Sequence, residues 1–135
     1  MNKIILTLVC VGAIGLGAQP AAAQMMISRT LTTDNTQTAE EEAAGKNLWQ
    51  QLQTEAVVCA NLTDDDFDSL GEYFMGLMMG NSHAAMNLMM RQMMGDDGET
   101  QMHVVMGKRF TSCDPSAVVP ATATGFTPMM QMMWG

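Results

Sequence analysis

Twice in this chain a threonine is followed three residues later by an acidic residue, at the head of an apolar stripe. Thr38 precedes Glu41, and Thr63 precedes Asp66. A threonine oxygen accepts from the backbone N–H three residues on while the acidic side chain reaches back, so each pair marks a helix start. Glu40–Glu42 and Asp64–Asp66 add negative charge at the positive end of each helix dipole. Behind Thr38, Ala44, Leu48, Leu52, Ala56 and Cys59 recur at helical spacing with Trp49 beside them, which predicts a helix ending near Asn61. Behind Thr63, Phe67, Leu70, Phe74, Leu77 and Met78 form the apolar stripe of a second helix, closed by Gly80 and Asn81.

Ser82 is placed to cap a third helix, His83 to Met94, with Gly95 as its C-terminal glycine and Asp96-Asp97-Gly98 as a turn. A fourth runs from about Glu99 to Phe110, where Lys108 and Arg109 suit the negative end of the dipole. Gly71 and Gly76 inside the second helix mark close helix contacts. The expected fold is therefore all-α, a small bundle of about four short helices over residues 38–113. Residues 24–37 are rich in Thr and Asn without a sustained period and are expected to be disordered. Residues 114–135, with Pro115, Pro120 and Pro128, read as a flexible Pro-spaced tail ending in PMMQMMWG.

The first 23 residues have the form of a signal peptide. Lys3 is followed by an apolar run to Leu16 and by the small residues Ala21-Ala22-Ala23. That run is too short for a comfortable membrane span, so no stable insertion is expected after cleavage. The mature chain, 24–135, would be periplasmic or extracellular. Lys3 is the only charged residue removed, so the mature chain is one unit more negative than the −8 of the whole. Such a chain lacks the basic patches that bind nucleic acid or anionic membranes. Of three cysteines, Cys59 and Cys113 remain after cleavage. In an oxidising compartment they most simply form one disulfide, and closing a loop of about 55 residues stabilises a fold by about 4 kcal/mol in the chain-entropy model.

Ten of the 17 methionines, with both histidines, lie between Met75 and Met106. Thioethers are soft donors suited to Cu(I) or Ag(I), and they are also adaptable core fillers. Two H-x-x-M steps, His83 to Met86 and His103 to Met106, place an imidazole and a thioether on one side of a helix. If the helix continued through Gly80, Met79, His83, Met86 and Met90 would share one stripe. Met102, His103 and Met106 form a second candidate group. Met129, Met130, Met132, Met133 and Trp134 form a third, with the indole face available to a cation. Adjacent pairs such as Met89-Met90 and Met93-Met94 cannot both face inward, so some thioethers are exposed.

The leading expectation is an exported, non-enzymatic Cu(I)- or Ag(I)-binding protein for sequestration, delivery or tolerance. The alternative is a metal-free interaction module whose methionine surfaces hold apolar partners, such as another exported protein. Surface methionines that scavenge oxidants are a third use. Zinc is disfavoured, because two histidines twenty residues apart do not make a cluster of ligands in sequence. The hydrolase signatures G-x-S-x-G and H-E-x-x-H do not occur.

Gly71-Glu72-Tyr73-Phe74-Met75-Gly76, then Gly80 to His83, Met102 to Arg109 and Cys113, make the chain resemble small exported Met-rich proteins of uncultured bacteria. The resemblance covers about 47–114 and implies no particular activity. In ligand chemistry alone, the Met, His and Trp content is similar to periplasmic Cu(I)/Ag(I) chaperones. Those are small β-barrels, so that likeness implies no fold and no individual site residue.

Overall fold

The computed structural model describes the backbone of residues 21–123 and the side chains of 35–121 and 123. Residues 1–20, most of the expected signal peptide, and the tail residues Met129, Met130, Met132, Met133 and Trp134 lie outside that range. The architecture is all-helical. Helix α1 spans Ala21–Gln53, α2 spans Asp64–Met79 and α3 spans His83–Phe110, with short 3-10 turns at Cys59–Asn61, Gly80–Ser82 and Ala121–Ala123. No strand occurs among the described residues, and no described helix is long and apolar enough to cross a membrane.

Three α-helices stand where about four short ones were expected. The expected third and fourth helices are two limbs of α3 meeting at Gly95, whose φ of 77° and ψ of 171° are non-helical. Gly95 thus bends the chain as a helix-ending glycine does. Asp96-Asp97-Gly98, expected as a turn, is helical, and Gly98 is buried. The second limb therefore starts sooner than the expected Glu99. Ser82 makes no side-chain cap to α3.

The two capping signatures diverge. At Thr63 the box forms: Thr63 Oγ1 accepts from the Asp66 N–H at 3.2 Å, and Asp66 Oδ2 accepts from the Thr63 N–H at 2.8 Å. At Thr38 it does not, because α1 already runs through it from Ala21. Between Ala21 and Ala44 there is neither Gly nor Pro to stop a helix propagating. Residues 24–37, expected to be disordered, are thus helical. The other end of α1 is earlier than expected. Glu55 takes a left-handed φ of 57°, and the Ala56 N–H closes onto Gln51 C=O at 2.9 Å. Cys59 consequently lies in the connection after α1. Its disulfide to Cys113, with Cα atoms 5.4 Å apart, ties that connection to the chain just beyond α3.

Helix α2 is the central element, packed against both α1 and α3. Trp49, Tyr73, Phe74 and Phe110 form a chain of ring contacts joining the three helices, with centroids 5.3–5.4 Å apart. The inner face of α2 is not the predicted stripe. Phe67 and Leu70 are buried, but Leu77 is 65% exposed, and Gly71, Glu72 and Met75 turn inward. A β-carbon on Gly71 would run into the His103 carbonyl, and one on Gly76 into the Glu42 carboxylate. Both glycines therefore sit at close contacts, as expected.

The apolar core is made largely of methionine. Met75, Met90, Met102, Met106 and Ala123 are buried together, with Met79, Met86, Met94, Phe110 and Val119 packed around them. Adjacent methionines divide between inside and outside: Met90 is buried while Met89 is 39% exposed, and Met94 packs on the core while Met93 is 58% exposed. The segment after Cys113 was expected to be a free linker as far as the terminus. Up to residue 123 it is docked, since Ala117 and Ala123 are buried and the Arg109 Nε–H donates to Ala117 C=O at 2.8 Å.

Candidate metal centre

Four stretches of helix each contribute two polar residues four positions apart: Thr38 and Glu42 on α1, Asp68 and Glu72 on α2, His83 and Asn87 on the first limb of α3, Glu99 and His103 on the second. Residues at i and i+4 lie one above the other on a helix, so each stretch presents a two-residue polar strip. The close approach permitted by Gly71 sets the α2 strip against the His103 strip. The result is a polar cluster within the fold, in which Glu72, His83, Asn87, Glu99 and His103 are all buried.

Glu72 is its hub. Glu72 Oε2 lies 2.9 Å from His83 Nε2, and Oε1 lies 2.9 Å from His103 Nδ1. The Asn87 amide donates to both oxygens at 3.0 Å. His83 Nδ1 meets Glu42 Oε1 at 2.5 Å. Around His103 Nδ1, Asp68 Oδ1 stands at 3.7 Å and Glu99 Oε1 at 3.8 Å, while Arg91 reaches Glu99 at 3.2 Å.

The contacts of His83 Nε2 and His103 Nδ1 with the carboxylates are ion-pair distances without full hydrogen-bond alignment. His83 Nε2, both ring nitrogens of His103, Asp68 Oδ1 and Asn87 Oδ1 are buried with no hydrogen-bond partner among the described residues. Buried polar atoms are nearly always satisfied, so five such atoms in one place need a physical cause. If His83 Nδ1–H donates to Glu42, Nε2 carries a lone pair aimed near a carboxylate oxygen. Two electron-rich atoms 2.9 Å apart repel unless a cation lies between them. A proton there makes His83 an imidazolium paired with Glu72; a metal ion in its place would spread the two atoms apart.

The electrostatics agree. Burial alone would raise the Glu72 carboxyl and lower the His83 imidazole. The contacts among His83, His103, Glu72, Glu42 and Asn87 outweigh it, holding Glu72 down to about 2 and raising His83 above its ordinary value. Asp68 is different: burial pushes it up to about 7, and the attraction of His103 only partly offsets this. Glu99 is raised by burial too. One carboxylate in the cluster is held ionised by its partners, while burial makes two others resist ionisation.

Glu72, His83 and His103 each offer one donor atom within 4.8 Å of the others, a spacing that a metal ion can draw together. The donor set is nitrogen and oxygen, which suits borderline and hard divalent ions better than Cu(I) or Ag(I). Glu42 stands behind His83 as the outer carboxylate that fixes the tautomer of a ligating imidazole. A cavity of about 510 Å³ lined by Thr38, Glu42, Gly76, Asn81 and His83 reaches this side of the cluster.

The structure regroups the residues expected to bind metal. Met79, Met86, Met90, Met102 and Met106 come together, but in the apolar core with Met75 and Met94. His83 and His103, expected to share ions with them, point ring nitrogens at carboxylates. The two histidines, separated by twenty residues, are brought to a ring-centroid distance of 6.2 Å, which removes the sequence argument against a His-containing cluster. Glu42, Asp68, Glu72 and Glu99 were missed as site residues. Their one signal was the repeated spacing of four, in particular Asp68 to Glu72 and Glu99 to His103, which puts each pair on one helix face.

The class that emerges is a disulfide-linked helical domain enclosing a carboxylate–histidine cluster. No protein-family model, curated protein or solved structure matches the chain.

Proposed function

We propose that the protein is an exported metal-binding protein that holds a divalent transition-metal ion between Glu72, His83 and His103. The observation that carries this reading is the convergence of three buried side chains, with His83 Nε2 and both ring nitrogens of His103 lacking a hydrogen-bond partner among the described residues. The disulfide is consistent with an oxidising compartment. The cavity beside Glu42 and His83 supplies a route of entry. Ions such as Zn(II), Mn(II), Fe(II) or Co(II) match the donor set.

A second reading keeps Cu(I) or Ag(I) as the cargo, held by thioethers. It is favoured by the gathering of Met75, Met79, Met86, Met90, Met94, Met102 and Met106 in one cluster. One pair of titrations separates the two. The full chain is titrated with Zn(II), and anaerobically with Cu(I), each against a chromophoric chelator. For the carboxylate–histidine site, His103→Ala abolishes Zn(II) uptake, whereas Met86→Leu with Met90→Leu leaves it intact. Zn(II) uptake that survives His103→Ala, or is too weak to compete with the chelator, refutes that site.

A further inference from the structure

We propose that the cluster is built for two metal ions, with Glu72 as the carboxylate bridging them. This rests on the reading that metal enters the cluster at all, and it assigns two residues, Asp68 and Glu99, that a single ion at the triad leaves without a role.

The first argument is the orientation of Glu72. Its oxygens serve different histidines: Oε2 is directed at His83 Nε2 and Oε1 at His103 Nδ1, both at 2.9 Å. A carboxylate that shares itself between two nitrogens in this way can bind a separate ion through each oxygen. His103 Nδ1 can donate to only one of them.

The second argument is the number of donors around that nitrogen. Besides Glu72 Oε1, Asp68 Oδ1 lies 3.7 Å and Glu99 Oε1 3.8 Å from His103 Nδ1. Donors around a tetrahedral ion with bonds of about 2.0–2.2 Å stand about 3.3–3.6 Å apart. Asp68 and Glu99 are thus too far from the imidazole to hydrogen-bond with it and just beyond the separation a shared ion imposes, while Glu72 Oε1 at 2.9 Å would move out slightly to admit the ion. His103 is fully buried, and Asp68 Oδ1 and His103 Nδ1 both lack a hydrogen-bond partner. Glu72, Asp68 and Glu99 thus bring three carboxylate oxygens within 3.8 Å of His103 Nδ1 from α2 and the second limb of α3, and an ion bound there would draw them toward one another. The other ion has His83 Nε2 and Glu72 Oε2, its remaining positions being left to water.

The third argument is charge. The carboxylates of Glu42, Asp68, Glu72 and Glu99 surround two imidazoles, and Arg91 is paired with Glu99. With both imidazoles neutral as ligands, one divalent ion and Arg91 supply three positive charges to four carboxylates, so negative charge remains to draw a second ion.

The test uses Mn(II) and the full chain with its disulfide intact. Equilibrium dialysis with elemental analysis gives the number of ions bound, and low-temperature electron paramagnetic resonance reports whether neighbouring Mn(II) ions are exchange-coupled through a shared carboxylate. Two ions per chain with a coupled spectrum are expected. Glu99→Gln combined with Asp68→Asn, both near-isosteric, should reduce uptake to one ion and remove the coupling. A wild-type chain that binds one uncoupled ion, undiminished by those substitutions, overturns the two-ion site while leaving the single-ion reading standing. No uptake of Mn(II), Zn(II) or Co(II) by the wild-type chain overturns both.

Discussion

Gly71→Ala is the substitution whose sign most directly tests the packing that forms the cluster. In an isolated or loosely packed helix, replacing an interior glycine by alanine stabilises by about 1 kcal/mol, because the unfolded chain loses freedom and the helix gains propensity. At position 71 the added methyl meets the carbonyl, carbonyl carbon and Cα of His103. None of these is a flexible side-chain end that can swing aside. Helix α2 and the second limb of α3 must separate, and overpacking of this kind costs about 1–3 kcal/mol or more. The net expectation is destabilisation of about 1–2 kcal/mol after the helix gain is counted. Urea unfolding followed by circular dichroism measures it, with unchanged slope as the check that only stability has moved. The same separation moves His103 away from Glu72, so Zn(II) affinity should fall in parallel. A Gly71→Ala chain that is more stable than the parent by the intrinsic helix gain would refute the close approach, and with it the site geometry.

The remaining expectations concern the core, the disulfide and pH. Met90→Ala should cost about 2–5 kcal/mol by leaving a cavity, whereas Met93→Ala, at a 58% exposed position, should change stability by less than about 0.5 kcal/mol; equal effects in urea melts would refute the assignment of inward and outward methionines. Reduction of Cys59–Cys113, which spans 54 positions, should lower stability by about 4 kcal/mol, and an unchanged melting temperature in reductant would count against it. Metal-free protein should lose stability as pH rises from 5 to 8. Asp68, raised to about 7 by burial, stabilises fully below its ordinary 3.8 and progressively less as pH climbs to about 7. Glu99 acts in the same direction, and so does His83, whose contribution is complete below 6.5 and fades above it. Glu72, held down to about 2, contributes fully above its ordinary 4.5 and does not oppose the trend in this window. Chemical denaturation in chelator at several pH values checks this, and stability that climbs from pH 5 to 8 would contradict it. Saturating Zn(II) should offset the loss, because an ion takes over the role of the protons.

Local signals carried far in this chain. The Thr63–Asp66 box, the stop at Gly80, the bend at Gly95 and the pairing of Cys59 with Cys113 all follow from chemistry that acts over a few residues or from simple elimination. The helical class follows from the same spacing. Where expectation and structure part, the cause is tertiary or a missing stop: α1 continues through Thr38 because nothing interrupts it, and the segment to Ala123 docks by burying Ala123 against the methionine core.

The site was legible only in part. Both histidines drew notice, but their neighbours in sequence are methionines, and a single helix shows only one wall of a site. Glu72 lies within a stripe read as apolar, where a hydrophobic pattern counts a glutamate as facing solvent. It is buried because Gly71 lets α2 and α3 come close enough for His83, Asn87 and His103 to surround the carboxylate and offset its desolvation. Local sequence sets the helical class, the Cys59–Cys113 pairing and the supply of histidine, carboxylate and thioether. That thioethers form the core while carboxylates meet histidines follows from the packing of separate helices, because that sorting depends on which of their faces come together.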